Sequence, residues 1–159
     1  MLRSLLVATL LVPAIWAQKY TGPKPPKPDT LFLLHATNLV PAEIAEAKEE
    51  KRKNEVAYVV DGAASQARTP MAEPIFLFES NRIKADQLQL YRLEVKNGKR
   101  EVVFPPAGKK PKESSRPLHL SVKPLGGGLY RVEANEFLQN GEYAITPEGS
   151  NQVFLFQVY

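Results

Sequence analysis

Cysteine is absent from the 159 residues, so no disulfide staples the fold and no thiolate is available as a nucleophile or metal ligand. Histidine occurs only at His35 and His119, and their spacing fits no His-x-x-x-His or Glu-x-x-His arrangement. A metal site is therefore not expected. No Gly-x-Ser-x-Gly elbow is present, and Ser114 and Ser115 sit in a polar, proline-bearing stretch rather than on a strand-to-helix turn. Gly126 to Gly128 form a glycine run, but it neither follows a phosphate-loop spacing nor opens a helix, so no nucleotide cofactor is implied. Lys and Arg number 21 against 17 Asp and Glu, a net charge of +4, and the cations are scattered without interleaved aromatics. That footprint does not suit a nucleic-acid binder.

What is present begins at the N-terminus. Arg3 precedes the apolar run Leu5 to Trp16, which closes on Ala17 before Gln18. A cationic start, a short apolar stretch and a small residue at the boundary form the layout of a secretory signal peptide, so residues 1–17 are expected to be removed and the protein exported, to the periplasm or beyond. The run is shorter than the roughly 20 apolar residues of a spanning helix and contains Pro13, so no transmembrane span is expected after cleavage. The remaining chain is long enough for one domain with one sizeable core.

Residues 18–30 carry prolines at 23, 25, 26 and 28, which remove backbone donors and fix φ. An extended polyproline spacer is expected, with a proline-rich ligand for an aromatic groove as the alternative. From Ala42 to Asn54 the chain reads AEIAEAKEEKRKN, largely good helix formers. Pro41 suits a first helical position, and Glu49 stands four before Lys53. A charged helix over residues 42–54 is expected, solvated along most of its surface, or alternatively a partner-binding helix exposing Glu49 and Arg52.

The rest reads as strands. Ala63 to Pro74 has no period and is expected as an ordered loop, a length that directs attention to Ser65, Arg68 and Thr69. Asn97-Gly98 supplies a two-residue hairpin turn between Leu88 to Val95 and Lys99 to Phe104. Pro105 to Pro117, with Lys109, Lys110, Lys112 and Arg116, is too polar and broken for a core element and is expected as a basic surface loop. Leu118, Leu120 and Val122 alternate with polar residues, as do Tyr130, Val132 and Ala134, giving a second hairpin across the glycine run. Gln152 to Tyr159 is apolar on both faces and is expected to be covered on both.

Short strands separated by regular turn signals predict a mainly β fold, a single antiparallel β-sandwich over residues 31–159. Leu138-Gln139-Asn140-Gly141-Glu142-Tyr143 resembles the L-x-x-G-x-Y corner of immunoglobulin-like bacterial extracytoplasmic sandwiches. The resemblance covers about the last forty residues. It implies an immunoglobulin-like fold in which Leu138 plugs the core and Tyr143 anchors the corner, and it implies no activity, because such domains serve many functions.

The function expected is that of a non-catalytic interaction or structural module of the bacterial cell envelope, meeting an envelope protein or an anionic surface polymer. Its contact residues would be Lys109, Lys110, Lys112 and Arg116 in the basic loop and Glu49 and Arg52 in the charged segment. The alternative is a small secreted hydrolase acting on glycans through paired carboxylates, which a pocket with two convergent acids would favour. A partner-completed subunit, with exposed aromatics around the charged segment, is a third reading.

Overall fold

The computed structural model describes residues 19–159, so the expected signal peptide lies outside the described residues. The chain is mainly β, as its alternating pattern predicts, and the described residues form thirteen strands, with 3-10 turns at Ala85–Gln87 and Glu113–Ser115. The strands are β1 (Leu31–His35), β2 (Asn38–Pro41), β3 (Glu43–Glu46), β4 (Lys48–Arg52), β5 (Glu55–Asp61), β6 (Arg68–Thr69) and β7 (Ile75–Glu79). They continue as β8 (Leu88–Lys96), β9 (Lys99–Phe104), β10 (Leu120–Gly126), β11 (Leu129–Ala134), β12 (Gly141–Pro147) and β13 (Gln152–Val158).

Two sheets result. The smaller has the order β10-β11-β7-β1-β2, the larger the order β3-β13-β12-β8-β9-β5-β4, with β6 lying parallel to β13. All other pairings are antiparallel. The hairpin turns fall where the sequence places them, at Asn97-Gly98 (φ 51° and 73°) and at the glycine run. Two facing antiparallel sheets agree with the sandwich-level expectation, but this strand order is not the seven- or nine-strand immunoglobulin arrangement.

The charged helix is not formed. Residues 43–52 are extended, and the reason is visible at both edges of the segment. β3 pairs with β13 from Glu43↔Leu155 to Glu46↔Gln152, and β4 pairs with β5 from Lys48↔Val59 to Arg52↔Glu55. Between them the Ala47 N–H donates to the Asn151 carbonyl at 2.8 Å. Helix preference among ordinary residues amounts to at most about 0.7 kcal/mol per position, whereas the extended segment gains backbone partners on two sides and covers two otherwise open edges. Its alternation also fits a strand, because Ala45 and Ala47 face inward while Lys48 and Arg52 face outward.

Because β3 and β4 are consecutive in the chain yet stand at opposite ends of the larger sheet's pairing order, the continuous backbone of segment 43–52 joins the sheet's two edges. The larger sheet is a closed ring. Closure gives β8, β12 and β13 two covered faces. Their outward residues Leu88, Leu90, Tyr143, Ile145, Phe154 and Phe156 join Leu31, Leu33, Phe76, Phe78 and Val132 of the smaller sheet in the main core. Their inward residues Leu93, Ala144, Val153 and Leu155 meet Ala47, Val60 and Val102 in a second core inside the ring. This is why β13 is apolar on both faces.

The C-terminal corner forms as its motif implies. Leu138 is buried, and the Tyr143 hydroxyl donates to the Gln139 carbonyl at 2.6 Å while its ring stacks on Phe156 at 5.5 Å. The proline-bearing residues 19–29 form no strand or helix; Pro25 is buried, and the Asp29 N–H donates to the Glu79 carbonyl at 2.8 Å. No helix among the described residues is long and apolar enough to cross a membrane.

Candidate functional site at the aromatic mouth of the ring

The two ends of the ring differ in chemistry. One end is closed by Arg100, which is 1% exposed and projects inward from β9 beside Val102 and Phe104. Its guanidinium donates to Glu43 Oε1 at 2.8 Å and Oε2 at 3.2 Å, to Ser65 Oγ at 2.7 Å, and to the carbonyls of Asp61 and Gly62 at 2.9 Å each. Glu142 Oε2 lies 3.8 Å away and accepts from the Ser65 hydroxyl at 2.5 Å and the Ser65 N–H at 3.0 Å. Two carboxylates thus converge, but around a fixed cation that occupies the space between them. Glu142 Oε1 is buried without a protein partner.

The other end is open. A cleft of about 450 Å³ runs into the ring there. Its floor is aliphatic, made by Ala47, Val60, Leu93, Val102, Ala144 and Val153. Above them stand Tyr58 of β5, Tyr91 of β8 and Phe104 of β9. The Phe104 ring meets Tyr58 edge-on at 5.7 Å and Tyr91 edge-on at 5.5 Å. Gln89, Thr146, Ser150 and Asn151 form the rim, and Glu49 is the one charged residue of the lining.

The cleft opens because one seam of the ring is unlaced. The β8–β9 ladder covers only Glu94↔Glu101 to Lys96↔Lys99, so the strands diverge above it. Leu90 bridges instead to Leu118, whose N–H donates to the Leu90 carbonyl at 2.7 Å. The turn Glu113–Ser115 packs against both β8 and β9, with Ser115 buried.

Burial raises the Tyr91 phenol above its ordinary range, and the Glu148 carboxylate adds to the effect. Burial also raises Tyr58, with Glu49 acting in the same direction. Both phenols stay neutral at physiological pH and remain hydrogen-bond donors. The Tyr91 hydroxyl donates to Gln89 Oε1 at 2.8 Å, and that of Tyr58 makes a long 3.5 Å contact with Glu49 Oε2. Among the described residues the lining carries no cation, and the carboxylates of Glu49 and Glu148 beside the two tyrosines give the mouth a negative bias.

Of the residues singled out in the sequence, Glu49 and Arg52 do not form one patch. On a helix they would share a face; on a strand, three positions apart, they point to opposite faces. Glu49 enters the mouth, whereas Arg52 lies outside the ring and binds Glu101 through both nitrogens at 2.7 and 3.3 Å and Glu50 at 3.0 Å. Lys109, Lys110 and Arg116 are exposed on the loop beside the open seam, and Lys112 reaches Glu55 at 3.6 Å. Ser65, Arg68 and Thr69 hold the crossing loop in place: Ser65 through Glu142 and Arg100, Arg68 through Gln157 at 2.6 Å, and Thr69 through His35 at 2.9 Å. Among the described residues, large aromatic side chains are exposed at Phe137 and Tyr159, neither of which belongs to segment 43–52. No cluster of metal-ligating side chains occurs among the described residues.

Sequence reasoning did not identify Tyr58, Tyr91 and Phe104 as a group. Each stands on the same inward parity of its strand as an aliphatic floor residue (Val60, Leu93, Val102), a signal that becomes legible only once the ring closure is known. Comparison of the chain with protein-family models, with curated proteins and with solved structures gives no match.

Proposed function

We propose that the protein is an exported binding module of the cell envelope whose ligand seat is the aromatic mouth of the ring. The observation that carries this reading is a preformed cleft in which Tyr58, Tyr91 and Phe104 stand over an aliphatic floor and under a polar rim. Concave, mostly apolar sites with a few oriented polar groups are where small ligands bind, and the mouths of β-barrels are among their usual places. Export rests on the N-terminal layout of residues 1–17.

The lining supports binding more than hydrolysis. A two-carboxylate glycosidase needs a pair of acids flanking the scissile bond, and Glu49 is the one acid of the lining. The basic loop offers a second reading, since Lys109, Lys110 and Arg116 are exposed and could draw an anionic polymer in a salt-dependent way.

Incubating the purified protein with extract of its native envelope, removing free material and weighing what stays bound by native mass spectrometry tests the seat. A retained small-molecule adduct that disappears in Tyr91→Ser/Phe104→Ser supports the mouth. An adduct untouched by that variant but lost in Lys109→Gln/Lys110→Gln/Lys112→Gln and at high salt moves the site to the loop. Absence of any adduct contradicts the module reading.

A further inference from the structure

We infer that the mouth accepts an alkyl-tailed amphiphile with an uncharged or cationic head, its tail on the aliphatic floor and its head at the rim; the inference rests on the seat proposed above. The cleft is graded along its depth. The floor residues Ala47, Val60, Leu93, Val102, Ala144 and Val153 offer no side-chain hydrogen-bonding group, so a hydroxyl buried among them would lose its water partners without replacement. A sugar ring, which carries polar groups around its whole edge, is poorly served at that depth, whereas an alkyl chain loses nothing there and removes apolar surface from water.

Above the floor the environment changes over one strand step. Tyr58, Tyr91 and Phe104 provide ring faces and edges, and Gln89, Ser150 and Asn151 can exchange hydrogen bonds with a polar head. The electrostatics select the sign of that head. Among the described residues Glu49 is the only charged one of the lining, Glu148 is near enough to raise Tyr91, and the ring faces of the aromatics attract cations. An anionic head meets carboxylates with no compensating cation in the lining, the opposite of what the exposed lysines of the neighbouring loop would select.

Four probes separate tail from head, each titrated below its micelle concentration into isotope-labelled protein with amide shifts followed by NMR: octyl glucoside, octyltrimethylammonium, octyl sulfate and methyl glucoside. The inference expects saturable shifts at Tyr58, Tyr91, Val102 and Phe104 with the first two. Methyl glucoside should give none, and octyl sulfate should bind about fivefold more weakly than octyltrimethylammonium, the effect of one partly solvated carboxylate. Glu49→Gln should narrow that difference. Ala144→Leu, which fills the floor, should weaken both tailed probes, and its own amide spectrum reports whether it folds.

Equal shifts from methyl glucoside and octyl glucoside would overturn the tail and leave the seat standing as a sugar site. A proline-rich peptide that shifts the mouth when no octyl probe does would overturn the ligand class in the same way. Shifts from octyl sulfate as strong as those from octyltrimethylammonium would overturn the charge selection. If no probe moves the mouth, the inference fails; whether the seat fails with it is then decided by the Tyr91→Ser/Phe104→Ser adduct experiment.

Discussion

Tyr91 and Phe104 meet edge-on with ring centroids 5.5 Å apart at the level where their strands have stopped hydrogen-bonding. Extending the register Glu94↔Glu101 upward would place the two directly opposite each other, so the aromatic contact stands where a ladder pair would otherwise be. The mouth is thus an opened seam whose lips are held together by side chains. Phe104→Ala removes contacts with both tyrosines and should destabilise the protein by about 1–3 kcal/mol, below the fully buried range because Phe104 is partly exposed. Denaturant unfolding with an unchanged slope would check it.

The closed end should be far more sensitive. Arg100→Met leaves Glu43 and Glu142 without their cation and Ser65 without a donor, and should cost about 3–5 kcal/mol. Adding Glu142→Met removes the stranded charge, so the double variant should be more stable than Arg100→Met alone. A double-mutant cycle by urea unfolding reads this coupling, and simple additivity of the two losses would contradict it.

Acid should weaken the outer face of the ring through Glu101. Its hydrogen bonds from Arg52 hold the carboxyl below its ordinary value of 4.5, against the opposing effect of burial. A carboxyl depressed in the folded state contributes stability that is present above about 4.5 and is lost as the pH falls through the folded value. Asp29, lowered by the Ser80 hydroxyl and Arg82, and Asp61, lowered by Lys48 and Lys99, act in the same direction. Arg52→Gln should therefore flatten part of the stability loss between pH 5 and pH 3, measured as the shift of the urea midpoint.

At the corner, Tyr143→Phe keeps the stack on Phe156 but leaves the Gln139 carbonyl without its 2.6 Å partner, an expected loss of about 1 kcal/mol. Leu138→Ala opens a cavity in the main core and should cost about 2–5 kcal/mol. Thermal unfolding of the two variants gives the order, and a larger loss from Tyr143→Phe would contradict the division of roles.

The hairpin at Asn97-Gly98, the alternation of β10 and β11, the doubly apolar β13 and the Leu138–Tyr143 corner were legible because each is written in local periodicity or turn chemistry. Segment 42–54 was not. Alanine, glutamate and lysine favour a helix locally, and the hydrogen-bonding partners that make it a strand, Leu155 to Gln152 and Val59 to Glu55, lie elsewhere in the chain. Misplacing that segment hid the ring, and with the ring went the mouth, since Glu49, Tyr58, Tyr91 and Phe104 converge only through closure. Arg100 was hidden for the same reason: a lone arginine at a hairpin strand reads as solvated until Glu43 arrives from the closing strand.

An apolar tail seated in the open end of the ring would place its methylenes against the aliphatic floor, and intermolecular NOEs between octyl glucoside and the labelled protein report that placement. Cross-peaks are expected from the chain methylenes to the methyls of Val102 and Val153 and to the rings of Tyr91 and Phe104, with the sugar protons near Gln89 and Asn151. Cross-peaks confined to exposed surface residues such as Phe137 and Met71, with none at Val102 or Phe104, would contradict it.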